Sequence, residues 1–104
     1  MVGVMSISKV VDTTDATLIS SNPVMLLSVV IGNSDPPPAG AIVVVEFHNA
    51  NSASDTLDAS NLKAKISVGV QSLSAFSHTF DGIMFPKGLV IKCGTAVPIT
   101  VEYE

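Results

Sequence analysis

Apolar and polar residues alternate along this chain in short runs, and turn residues punctuate them. In Leu62–Val70, Leu62, Ala64, Ile66, Val68 and Val70 point one way, while Lys63, Lys65 and Ser67 point the other. In Val97–Tyr103, Ile99, Val101 and Tyr103 oppose Thr100, Glu102 and Glu104. A period of two is the mark of a strand with one wet face. Val24–Ile31 reads VMLLSVVI between Asn22-Pro23 and Gly32-Asn33, a length and setting that favour a strand over a buried helix. Val4–Val11, Ala16–Ser20, Ala41–His48, Leu73–Phe80, the short Ile83–Phe85 and Leu89–Cys93 complete the set, rich in the Val, Ile, Thr and Phe that pleated surfaces favour. Asp81-Gly82, Pro86-Lys87-Gly88 and Gly94-Thr95 mark turns.

The connections read as clearly. Asp35-Pro36-Pro37-Pro38-Ala39-Gly40 fits neither a helix nor a central strand and predicts a stiff loop. Residues 49–61, NANSASDTLDASN, predict a polar loop with room for a helical turn starting at Ser54 or Asp55. No segment of a dozen residues holds a clean helical period. The chain therefore predicts an all-β fold, a compact, jelly-roll-like β-sandwich of about eight antiparallel strands. It reads as a single domain over 1–104, without repeat or linker.

Two strands break the simple alternation. Val24–Ile31 places Met25, Leu27, Val29 and Ile31 on one face and Val24, Leu26 and Val30 on the other. Ala41–Phe47 places Val43, Val45 and Phe47 against Ile42 and Val44. A sandwich buries one face of each sheet. If these two strands are neighbours, Val24, Leu26, Val30, Ile42 and Val44 form a spare apolar patch and a candidate interface. Either the protein's own loops or a partner subunit covers it.

Composition sharpens this picture. The chain is 47% hydrophobic and 13% charged, against roughly 25% charged for typical soluble domains. A surface so poor in charge points to an oligomer or larger assembly. Net charge is −4, and the five scattered lysines form no basic stripe, which argues against nucleic acid and against an anionic membrane surface. The N-terminal segment lacks the basic start and long apolar run of a secretion signal, and the apolar runs fall short of the ~20 residues a membrane helix needs.

Candidate chemistry is sparse. Cys93, the single cysteine, alternates with Leu89 and Ile91 and reads as a small core residue rather than a nucleophile. No serine occupies a G-x-S-x-G elbow. His48 and His78 lack the spacing of a zinc site and read as strand or rim residues; if His78 shares a core face with Phe76 and Phe80, it must find a hydrogen-bond partner. Asp12 with Asp15, and Asp55 with Asp58, lie in Ser/Thr/Asn-rich stretches where Asp caps turns, and no calcium-loop pattern accompanies them. The expectation is no enzyme, no metal and no cofactor.

The segment FDGIMFPKGLVIKCGTAVPITVEYE, residues 80–104, resembles small virion proteins of tailed bacteriophages. Phe80, Gly82, Phe85, Gly88, Leu89, Gly94, Thr95, Val101 and Tyr103 carry the resemblance, as turn glycines and core residues. It implies a capsid decoration (cement) protein, a homotrimer made in the host cytoplasm and bound to the major capsid protein on the outer surface of the head. The alternative is a receptor- or glycan-binding sandwich module of a tail fibre or baseplate, with its ligand site in the 49–61 loop or the Pro-rich loop. The low aromatic content, with Tyr103 alone and no Trp, leaves few platforms for a sugar.

Overall fold

The computed structural model describes residues 7–32, 42–69, 76–94 and 97–104. They form β1 (Ile7–Val11), β2 (Thr17–Ser20), β3 (Val24–Ile31), β4 (Ile42–Asn49), β5 (Leu62–Gly69), β6 (Phe76–Phe85), β7 (Leu89–Cys93) and β8 (Ile99–Tyr103). There is no helix among the described residues, so none is long and apolar enough to cross a membrane. The predicted Pro-rich loop 35–40, and the strand ends predicted at 4–6, 41, 70 and 73–75, lie outside the described residues.

The strands form two antiparallel sheets, ordered β1-β8-β3-β6 and β2-β7-β4-β5. That is the double-sheet order of an eight-stranded jelly roll. Only the β4–β5 connection joins neighbours in one sheet; every other connection passes from one sheet to the other. Registers stack the core in rows. In the first sheet Val11, Ile99 and Ile31 lie side by side across β1, β8 and β3. In the second, Ile91, Phe47 and Ala64 do so across β7, β4 and β5, and Cys93, Val45 and Ile66 form the next row. These inward side chains, with Val29, Val101, Val43, Leu89 and Phe85, make one continuous hydrophobic core. Each fully buried Val, Leu, Ile or Phe side chain contributes roughly 1.5–3 kcal/mol.

Bulges explain the two-faced pattern of β3. Between Leu26 and Ser28, two residues of β3 oppose one step of β8, from Tyr103 to Glu102. An extra residue inverts the alternation beyond it. Val24 and Leu26 are therefore inward before the bulge, and Val29 and Ile31 after it. The same place accounts for Asp81-Gly82, which was expected to end a strand. There β6 runs on as one strand to Phe85, and four steps of it, from Thr79 to Ile83, match the two steps of β3. Gly82 supplies the positive φ of 81° that the irregularity requires.

Candidate functional site

The five residues of the candidate interface do not meet. Val24 and Leu26, 5% and 0% exposed, belong to the core, because the β3 bulge keeps both inside. Val30, 39% exposed, lies on the outer face of the first sheet, in a row with Val10, Thr100 and Ser77. Ile42, 64% exposed, and the half-buried Val44 lie on the outer face of the second sheet. Because β3 and β4 belong to opposite sheets, the joined patch expected from the sequence is split, with Val30 on one outer face and Ile42 and Val44 on the other. Beyond Val44, the second sheet's outer face turns polar, with Lys92, Glu46 and Lys65 side by side across β7, β4 and β5.

Further along the same face lies a buried polar centre. His48 and Val90 are cross-strand partners, and both are buried although they point away from the core. His48 is 2% exposed and is the only buried polar side chain among the described residues. Its Nδ1 lies 2.7 Å from Asn61 Oδ1 and its Nε2 3.1 Å from Glu46 Oε1. The amide of Asn61 is oriented by its other bonds: Nδ2 donates to the Thr56 carbonyl at 2.7 Å, and Oδ1 accepts the Asp58 N–H at 3.1 Å. His48 Nδ1 must therefore be the donor. With that N–H committed, the Nε2···Oε1 contact is a hydrogen bond only when a second proton lies between His48 and Glu46.

This ring latches the 49–61 loop onto β4. The loop is a chain of turns, without the helical turn that Ser54 and Asp55 suggested: Asp55 N–H donates to the Ser52 carbonyl at 3.1 Å, and Asn61 and Leu62 both donate to the Asp58 carbonyl. The Asp58 carboxylate accepts the Ser60 N–H at 2.9 Å and the Ser60 hydroxyl. These two bonds, with a smaller attraction to His48, hold the Asp58 carboxyl below the usual carboxylate range. Between this loop and the β6–β7 turn lies a recess of about 540 Å³, lined by residues that include Asn51, Asp55, Thr56 and Lys87.

The second histidine is placed differently. His78 is exposed at the rim of the sandwich, not on a closed core face. It stacks on Phe76, with ring centroids 6.4 Å apart, and meets Phe80 edge-on at 4.7 Å. Phe80 in turn contacts Phe47 of the opposite sheet at 5.6 Å. Aromatic pairs in these geometries add roughly 0.5–1.5 kcal/mol each beyond burial. Cys93 is buried in the core, as its alternation predicts.

No group of three His, Cys, Asp or Glu side chains placed to hold a metal exists among the described residues. The buried histidine faces an amide and a carboxylate rather than a Ser, Thr or Cys nucleophile. The arrangement fixes the 49–61 loop to β4. Comparisons of the chain with protein-family models, with curated proteins and with solved structures return no match.

Proposed function

We propose that the chain is a structural virion protein, a decoration protein that binds the outer surface of a phage head as a homotrimer. The observation that carries the reading is the strand order, β1-β8-β3-β6 over β2-β7-β4-β5. Viral capsid domains use this double-sheet jelly roll, as lectins and cupins do. One fold hosts many functions, so a second support is needed. It is the resemblance of residues 80–104 to small tailed-phage virion proteins, together with the low charge of the chain.

The contact is best sought at Ile42 and Val44, on the outer face of the second sheet, with Val30 and Val10 on the other face as the alternative surface. Burying apolar area contributes about 25 cal/mol per Å² before the ordering costs of association. Repetition of the contact around a symmetric shell multiplies weak affinity. Light scattering after size exclusion, over a range of concentrations, tests the reading. A stable trimer is expected, and Ile42→Asp should give a folded monomer. A wild-type protein that stays monomeric and does not co-sediment with tailed-phage heads stripped of their decoration protein overturns it.

A further inference from the structure

The recess beside the 49–61 loop is built on a rigid floor. Three connections converge there: Ala50 N–H donates to the Gly88 carbonyl at 3.3 Å, and Lys87 N–H to Asn49 Oδ1 at 2.8 Å. Gly88 sits so close to the β2–β3 turn that a Cβ on it would stand 2.4 Å from the Ser20 carbonyl oxygen. The wall is as fixed, since Asn61 is tied at once to His48, Thr56 and Asp58. At about 540 Å³, the volume falls within the ~300–1,000 Å³ of ligand pockets.

Its lining selects the ligand class. Among the described residues that line it, Ala50 is the only apolar side chain and none is aromatic, which disfavours an apolar or flat aromatic ligand. One acid, Asp55, and one base, Lys87, cancel in charge, which disfavours a simple anion or cation. The rest is neutral amide and hydroxyl. The Asn51 amide, the Asp55 carboxylate, the Thr56 hydroxyl and the Lys87 ammonium have no intramolecular hydrogen-bond partner among the described residues. Such a set offers both donors and acceptors to the recess, as a hydroxyl-rich molecule requires.

We infer that this recess binds a neutral sugar unit, hydrogen-bonded by Asn51, Asp55, Thr56 and Lys87. The lining side chains Asn51, Asp55, Thr56 and Lys87 are exposed and no stacking platform stands among the described residues there, so affinity for a single sugar is on the order of millimolar. The inference rests on the recess alone and is independent of trimer formation or head binding.

Amide chemical-shift titration of the ¹⁵N-labelled full chain tests it. The probes are glucose, galactose, mannose and N-acetylglucosamine, with inorganic phosphate and glycine as charged comparators. At least one neutral sugar should produce saturable shifts at residues 50–61 and Lys87. Asn51→Ala and Asp55→Ala, both at exposed positions, should weaken that binding by roughly fivefold or more, the worth of one hydrogen bond. Lys92→Ala, outside the recess, should leave it unchanged. Absence of saturation with all four sugars, larger shifts with phosphate or glycine, or shifts mapping elsewhere overturns the inference.

Discussion

Single residues decide how the loop end of this sandwich holds together. Gly88 has φ +142°, and an added Cβ would lie 2.4 Å from the Ser20 carbonyl oxygen and 2.7 Å from that of Ala50. Both obstacles are backbone, so relief requires moving a strand end. Gly82, at φ +81°, would meet the Met25 sulfur at 2.8 Å, the movable part of a flexible side chain. Gly88→Ala should therefore cost more than Gly82→Ala in urea unfolding, by about 1 kcal/mol or more. His48→Leu keeps much of the ring's volume and removes its hydrogen bond to Asn61 and its contact with Glu46, and it should cost about 2 kcal/mol by the same measurement. Asp58 gives the loop a pH dependence of definite sign. Its carboxyl is held below its ordinary value of 3.8, first by the Ser60 hydroxyl and then by the Ser60 N–H. A depressed carboxyl adds stability above its unfolded value and loses it as pH falls through the lower folded value. Hydrogen-exchange protection of the Ser60 amide should thus exceed that in Asp58→Asn at neutral pH, and the difference should shrink below pH 3.8 and vanish once pH has fallen through the lower folded value. A difference that persists in acid would show that the loop does not depend on the carboxylate.

At the scale of the element, the strands themselves were legible and their irregularities were not. β3 and β7 have the bounds that their turn residues predict, and the alternation of β5 and β8 matches their buried faces. The bulge in β3 left no local signal, because Val24–Ile31 is apolar at nearly every position and fits either phase. Asp81-Gly82 gave a signal that reads equally as a turn or as a glycine-bearing bulge; pairing with β3 decides between them. His48 was unreadable for a different reason. It is outward on its strand, and only the fold of residues distant in sequence buries it. The polar loop of the candidate site was visible in composition, but the convergence of Asn49, Lys87 and Gly88 was not. The bulge also changes what substitutions do. Leu26→Asp places a charge among Ile83, Tyr103 and the rest of the core, and should leave the chain unfolded by circular dichroism. Ile42→Asp, at a mostly exposed position, should retain the native spectrum and thermal midpoint within a few degrees.

The whole molecule is a sandwich whose sheets are assembled from strands far apart in the chain. β1 pairs with β8 and β2 with β7, so turn signals between consecutive strands say nothing of sheet neighbours. Such long-range pairing also exposes unpaired edges while the chain folds. The folded protein keeps four of them: β1 and β6 border one sheet, β2 and β5 the other. β1 is the most vulnerable, since Ile7 and Val10 are 50% and 67% exposed. Lys9 stands between them. The register aligns it with Val101 on the inward-facing row, and its ammonium donates to the Ile19 carbonyl of β2 at 2.7 Å. It thus ties the two sheets together at the open rim, and it is a charge pointing inward on an edge strand, a device that discourages a second strand from adding there. Lys9→Val raises the β propensity of this strand and removes both the tie and the charge. The folded domain should tolerate the change, because the residue is exposed and Val suits a strand. Its concentration-dependent association should rise, measured as scattering and thioflavin fluorescence at a temperature where the wild type stays clear. Lys9→Arg, which keeps a charge of similar reach, should stay clear as well. If Lys9→Val remains as soluble as the wild type, the edge is protected by its own twist or by its neighbours, and the lysine serves only to join the sheets.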